Sequence, residues 1–284
     1  HCYIIIGRRI NTILCPFYYP FLLKSKPDLK NYIMLSCEFL LSSAIEMARA
    51  AGDVQLEYFR SKSLTIGIKQ NESDVVTAAD KASEKLIIDC IHEKFPEHGI
   101  ISEESGPDHS EREWRWVIDP LDGTTNFSQG LPVFSVSIAV EHNGESVVGV
   151  VYAPYLGELF HAIKGGGAFL NGKPICCSSK QRMSEAVVAT GMPYDKMSNP
   201  DNNLREVAKI APLVRGIRRY GSAAIDLSYV GAGFLDAYWE LNLNRWDVAA
   251  GCLIAKEAGA EIYNIRENRN FSVMAACPGL VEDM

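Results

Sequence analysis

From Leu35 to Phe59 the apolar positions recur at helical spacing. Ala44, Ala48 and Ala51 stand at i, i+4 and i+7, and Leu40, Met47 and Val54 flank the same stripe. A polar stretch, Ile66–Ser73, comes next and carries Lys69. A second helix is predicted from Thr77, where Thr77-x-x-Asp80 has the form of a capping box. Leu86, Ile87, Cys90 and Ile91 give it a core face, and Pro96 stops it. Beyond that point short β-branched and aromatic runs bounded by turn residues predict strands at Ile100–Ser102, Trp114–Asp119, Val133–Val140, Ser146–Tyr152 and Glu158–Ile163. In the third of these, Val133, Ser135, Ser137 and Ala139 alternate with Phe134, Val136, Ile138 and Val140, so its two faces pack differently. Gly165–Gly167 is a turn.

The last third alternates. Strands are predicted near Ala186–Thr190, Ile217–Tyr220 and Leu235–Glu240, and helices near Asn203–Val214, Ala223–Val230 and Asp247–Ala258, with Gly259 as the C′ stop of the last. There is no internal repeat, no low-complexity tract and no linker after residue 34. The expected architecture is α/β, with sheets sandwiched by helices.

Composition changes this picture little. The 284 residues are 47% hydrophobic and 22% charged, which is ordinary globular usage. The net charge of −7 is a poor footprint for a nucleic-acid binder, since phosphate backbones attract basic surfaces. Eight cysteines show no C-x-x-C spacing and do not group with the six histidines, which argues against a zinc site and for buried thiols in a reducing compartment. Residues 1–33 stand apart: Arg8, Arg9, Lys24, Lys26 and Lys30 face one acid, Asp28, and no apolar run has the length of a membrane span. We expect this leader to be an upstream extension outside the fold, with Met34 the natural start and 34–284 a single domain. A transit peptide is the other reading of a basic, acid-poor leader.

The informative segment is Trp116-Val117-Ile118-Asp119-Pro120-Leu121-Asp122-Gly123-Thr124-Thr125-Asn126. An apolar strand runs into Asp119, Pro120 keeps that residue extended, and Asp122 returns three residues later on a turn that Gly123 permits. Two carboxylates on a rigid strand end suit hard cations, and magnesium commonly shares such a site with a substrate phosphate. The N–H groups of Gly123, Thr124 and Thr125 can cradle a phosphate if they open a helix. Alone, Asp-x-x-Asp is far more often a surface turn than a functional site. The five fixed residues of Asp-Pro-x-Asp-Gly-Thr, however, arise by chance on the order of 10⁻⁴ of the time at average composition. Glu103 and Glu104 end another apolar strand, where a solvated loop is the plain alternative. Asp247 stands at a helix start, where an N-terminal cap and a metal ligand are compatible roles.

Ser102-Glu103-Glu104-Ser105, Asp119–Asn126 and Trp246-Asp247-Val248-Ala249-Ala250-Gly251 together resemble the three signatures of the inositol monophosphatase family, and Asp74–Asp80 resembles the segment before its second helix. The resemblance runs from about residue 37 to residue 277. It implies a layered αβαβα sandwich that removes phosphate from small alcohols with two or three magnesium ions, is inhibited by lithium and forms a homodimer. It implies that Glu103, Asp119 and the Leu121 carbonyl hold one ion, that Asp119, Asp122 and Asp247 hold another, and that Glu103 supports a weaker third ion near Glu104. Thr124 paired with Asp80 would orient and help deprotonate the attacking water. Gly123 and Thr124 would bind the phosphate, with Lys69 nearby. Ser222 and Ala223 would line the substrate, and Glu240 would accept hydrogens from its hydroxyls.

Inositol-1-phosphate is the expected substrate. Histidinol phosphate, a sugar phosphate or a 3′-phosphoadenosine nucleotide are alternatives, and a silent binding protein of the same fold is a further one. We expect a cytoplasmic enzyme, or an organellar one if the leader is a transit peptide, with no nucleic-acid or membrane partner. Two departures from the family are the shorter stretch Asn264–Asn270 and the stop at Met284, where the family usually continues into a final helix.

Overall fold

The capping box read at Thr77 is present in the computed structural model of the chain. Asp80 Oδ2 accepts the Thr77 N–H over 2.8 Å, and Thr77 Oγ1 accepts the Ala79 N–H over 3.2 Å. The structure describes residues 29–61, 66–68, 75–107 and 112–284. Residues 1–28 of the basic leader, and Lys69, lie outside them.

In chain order the elements are α1 (Leu29–Tyr58), β1 (Ile66–Ile68), β2 (Val75–Thr77), α2 (Ala78–Lys94), β3 (Gly99–Ser102), β4 (Gly106–Pro107), β5 (Trp114–Asp122), α3 (Thr124–Ser128), β6 (Ser135–His142), β7 (Glu145–Ala153), β8 (Glu158–Ile163), β9 (Ala168–Leu170) and β10 (Lys173–Ile175). Then come β11 (Val187–Thr190), α4 (Leu204–Ile210), β12 (Gly216–Arg218), α5 (Ala223–Gly231), β13 (Ala237–Leu243), α6 (Arg245–Glu257), β14 (Glu261–Asn264) and β15 (Phe271–Ala276). By its contacts the chain divides into His1–Ser36 and Cys37–Met284, and among the described residues every strand belongs to the second unit.

Eight strands form one mixed sheet in the order β10-β9-β8-β7-β6-β5-β3-β4, and five form another, β12-β11-β13-β15-β14. Each sheet holds parallel pairs: β3 with β5 in the first, and β11 with both β12 and β13 in the second. Helices α5 and α6 lie between the two sheets. One side of this middle layer packs Ala224, Ala250 and Ile254 against Val117, Ala139 and Val151 of the larger sheet. The other packs Leu227, Val230 and Ala255 against Ala189, Tyr238 and Ala275 of the smaller one. Helix α2 packs on the outer face of the large sheet, against β5. Val207 and Ile210 of α4 pack with Val188, Trp239 and Met274 on the outer face of the small one. The layers are therefore αβαβα, as the family resemblance implied.

The two faces of β6 explain the middle layer's close fit. Its small face carries Ala139 into the core with Ala250, and Ser137 Oγ donates to the Trp246 carbonyl over 3.2 Å. Next to it, a Cβ added at Gly149 of β7 would stand 2.9 Å from the Ala250 carbonyl oxygen. On α6 itself, a Cβ at Gly251 would stand 2.7 Å from Leu227 Cβ of α5. Larger residues at these positions would push the helices off the sheet and off each other.

Several boundaries differ from expectation. Helix α1 begins at Leu29, not Leu35, and β6 begins at Ser135, because Val133 turns its carbonyl to Asn126 Nδ2. Strand β5 does not end at Asp119. It continues to Asp122 with a register irregularity between the two aspartates, since both Asp119 and Asp122 still pair with β6. Helix α4 ends at Ile210, short of Val214. The pairs β9–β10 and β14–β15 have no counterpart among the expected strands. Among the described residues the six cysteines are free thiols, and no helix is long and apolar enough to cross a membrane.

Candidate active site

The parallel strands of both sheets aim their C-terminal ends at one cavity of about 370 Å³. Ligands in sheets with parallel strands characteristically collect at such ends. Glu103 follows β3, Asp119 and Asp122 close β5, Gly191 follows β11, Arg219 follows β12, and Glu240 lies on β13. Asp247, in the first turn of α6, completes the acidic wall.

Each carboxylate is held by local backbone chemistry. Asp119 Oδ1 accepts the Leu121 N–H over 3.0 Å, folding the bulge that brings Asp122 back to the same wall. Asp122 Oδ2 accepts the Ser222 hydroxyl over 2.6 Å and the Ala224 N–H over 2.8 Å, so it caps the start of α5 from across the layer. Asp247 Oδ2 accepts the Asn244 N–H over 2.6 Å in a second capping box. Glu103 is fixed beside β5 by its own N–H, which donates to the Ile118 carbonyl over 3.2 Å, and its side chain is within hydrogen-bond reach of Asp119. Gln55 of α1 braces the turn from behind, its Nε2 donating to the Pro120 carbonyl over 2.7 Å.

The turn at Gly123 and the helix after it have the backbone geometry that the sequence suggested. Gly123 has φ +94°, and a Cβ there would meet the Val133 carbonyl oxygen at 3.0 Å, so only glycine fits without strain. Helix α3 opens immediately after it. Thr124 Oγ1 lies 3.1 Å from Asp80 Oδ1 and 3.0 Å from the Leu121 carbonyl oxygen. Asp80 is fully buried, and its second oxygen is taken by the Thr77 N–H and hydroxyl. Residues from the first turns of α3, α5 and α6, namely Thr124, Ala223 and Asp247, line the cavity.

Burial and mutual repulsion shape the electrostatics. Asp119 and Asp247 are pushed well above the usual carboxylate range, first by burial and then by the charge of Glu103 and their other acidic neighbours. Asp122 is pushed up to about 6 by burial, against the pull of its Ser222 and backbone N–H donors. Glu240 is pushed up to about 7 by burial, opposed by the Tyr238 hydroxyl that donates to it over 2.6 Å and by the Arg219 charge.

The donor set fits a hard divalent cation. Glu103, Asp119, Asp122, Asp247 and the Leu121 carbonyl all line the cavity, all offer oxygen, and no sulfur or imidazole accompanies them. Among the described residues no three acids close around a single point.

Of the other expected residues, Gly123, Thr124, Ala223 and Glu240 line the cavity. Ser222 is 1% exposed, and its hydroxyl is turned to Asp122. Glu104 is half-buried in the turn after β3, and among the described residues the cavity wall there is Glu103. Sequence reasoning missed Arg219 and the wall formed by Gly191, Met192, Pro193, Tyr194 and Lys196. The signal for that wall was Thr190-Gly191-x-Pro193, a strand end breaking into turn residues. Nothing local distinguishes Arg219 from Arg218.

A fold of this layering with such an acidic strand end belongs to a known class. Residues 37–281 match the inositol monophosphatase family, and the chain belongs to it. It is 40% identical over 236 residues to the inositol-1-monophosphatase of Synechocystis sp., covering 83% of this chain and 79% of that one. It is also 39% identical over 250 residues to the Nus factor SuhB of Escherichia coli K12, covering 86% and 94%. Among solved structures, the inositol monophosphatase from Anabaena (Nostoc) sp. superposes with a TM-score of 0.77 at 37% identity, covering 87% and 93%.

Proposed function

We propose that this chain is a magnesium-dependent phosphatase of small phosphate monoesters, with inositol-1-phosphate as its substrate. The observation that carries the reading is the convergence of Glu103, Asp119, Asp122 and Asp247 on one cavity beside the Thr124–Asp80 pair. Magnesium bound to these oxygens would supply positive charge to the phosphate and acidify water. Glu103, Asp119 and the Leu121 carbonyl would hold one ion, and Asp119, Asp122 and Asp247 a second.

The chain's own groups do the rest. The N–H groups of Gly123 and Thr124, at the start of α3, would bind a phosphate oxygen. Thr124 Oγ1, aimed at Asp80 Oδ1, holds the attacking water and passes its proton toward the buried carboxylate. Glu240 accepts hydrogen bonds from the hydroxyls of the alcohol, within electrostatic reach of Asp122 and Asp247. The reading carries with it inhibition by lithium, a homodimer and a cytoplasmic location.

The test is phosphate release from a panel of monoesters with magnesium titrated from zero. Release from inositol-1-phosphate that vanishes with a chelator and returns with magnesium is expected. Release unaffected by the chelator would end the reading. A second reading, a role like that named for the Nus factor relatives, is favoured by the 39% identity over 250 residues. It predicts a stable protein with no turnover on any monoester in the panel.

A further inference from the structure

The segment from Gly191 to Asn203 supplies part of the cavity wall, through Gly191–Tyr194 and Lys196, and it is held by two arginines that do not line the cavity. Its root is anchored by Asn203, whose Nδ2 donates to Thr190 Oγ1 over 2.7 Å and to the Gly191 carbonyl over 2.6 Å, and whose Oδ1 accepts Trp239 Nε1 over 2.6 Å. Its tip is anchored by the connection between β14 and β15. Arg269 Nη2 donates to both oxygens of Asp195, at 2.8 and 2.7 Å, and its Nη1 donates to the Asp201 carbonyl. Arg266 Nε donates to Asp201 Oδ2 over 3.1 Å, and its Nη2 donates to Glu206 over 2.7 Å.

The arginines do not touch the cavity, but the segment they hold does. Met192, Pro193, Tyr194 and Lys196 line it. At the root, Gly191 lies flat on the Glu240 carboxylate: a Cβ there would fall 1.9–2.1 Å from its three terminal atoms. A shift of the segment therefore changes the space in front of the carboxylate that receives the alcohol's hydroxyls. The proposed metal ligands, after β3, on β5 and on α6, are held by separate bonds and would stay in place. Arg269 is suited to the task. Its side chain is 7% exposed and that of Asp195 is 35%, so one end of this charge-assisted pair is shielded from water and the pair is only partly screened by salt.

We infer that Arg269, assisted by Arg266, is a positioning residue for substrate discrimination, holding the Gly191–Asn203 wall so that a ring-shaped polyol fits against Glu240. This rests on the phosphatase reading above. The prediction is a selective loss. Misplacing a substrate-positioning wall by about 1 Å costs up to about 100-fold for a ligand that touches it. An ester without hydroxyls is spared.

The experiment compares wild type with Arg269→Gln on inositol-1-phosphate and p-nitrophenyl phosphate, and tracks trypsin cleavage after Lys196 in both proteins. We expect KM for inositol-1-phosphate to rise about tenfold, with KM for p-nitrophenyl phosphate and both kcat values within about twofold. Cleavage after Lys196 should quicken about tenfold, and Arg269→Lys should recover part of both effects. Asp195→Asn removes the same pair from its more exposed partner. It should reproduce the pattern if Arg269→Gln does not fold, and the double variant should be no worse than either single one. A parallel rise in both KM values, or unchanged cleavage, would overturn the inference. A wild type inert toward both esters would end the phosphatase reading, while the cleavage comparison still decides whether the arginines hold the wall.

Discussion

Ser222 donates its hydroxyl to Asp122 over 2.6 Å, across 100 residues of chain, and the same hydroxyl accepts the Ile225 N–H over 3.3 Å. One small side chain thus caps α5 and fixes a proposed metal ligand on β5. Ser222→Ala removes both bonds. The expected cost is about 1–3 kcal/mol of stability, from the lost cap and the lost donor to a buried carboxylate. The magnesium concentration for half-maximal activity should also rise. Urea unfolding and a magnesium titration read the two effects, and an unchanged midpoint in both would show that the hydroxyl is dispensable.

Thr124→Val keeps the shape of the side chain and removes the hydroxyl that bridges Asp80 and the Leu121 carbonyl. Turnover should fall about 100-fold, the usual scale for losing a positioned proton-transfer group, with little change in magnesium affinity. Thr124→Ser should restore most of it. Steady-state kinetics on the three proteins checks the assignment, which fails if valine is tolerated.

Glu240 gives a pH dependence whose sign is set by its environment. Its folded value of about 7 lies above its ordinary 4.5, mainly because it is buried. Between those pH values the folded chain holds a proton that the unfolded chain has released, so stability falls as pH rises through that window. Glu240→Gln should lessen this fall in the metal-free protein, read as the difference in urea midpoint between pH 5 and pH 8. Equal losses in the two proteins would assign the decline to other groups. The same variant should raise KM for inositol-1-phosphate and spare an ester that offers no hydroxyls.

Gly149→Ala tests the middle layer. Its new methyl would stand 2.9 Å from the Ala250 carbonyl oxygen, and overpacking of this kind costs about 1–3 kcal/mol. A melting temperature lower by several degrees is expected, with kinetic constants unchanged at low temperature. A variant as stable as wild type would show that α6 has room to move.

The parts of this architecture that could be read from the chain are those whose signal is local. The Thr77–Asp80 box, the apolar run into Asp119 and the alternation along β6 each place their element from neighbouring residues alone. Strand β14 could not be read this way. It is an edge strand carrying Glu261 and Asn264, largely exposed, and it is a strand because Phe271–Ala276 pairs with it and with β13. For the site, the acids were legible because each ends a strand or begins a helix. The wall formed by residues 191–196 was not. Lys196 and Tyr194 reach the cavity through Arg269, which lies 74 positions from the Asp195 it binds. No short window of sequence contains both.

The seating of α6 against Gly149, and of α5 against Gly251, bears on how such a protein can acquire new substrates. Helices that close to their neighbours cannot slide, so the spacing between the acids of β5 and the acid of α6 is a property of the core. Variation that alters this spacing would be removed as a folding defect before it was tried as chemistry. Diversity is then left to the rim, where residues 192–196 and 265–270 meet solvent. A library built on those two segments, with Gly149 and Gly251 held fixed, samples the changes in specificity that the scaffold tolerates.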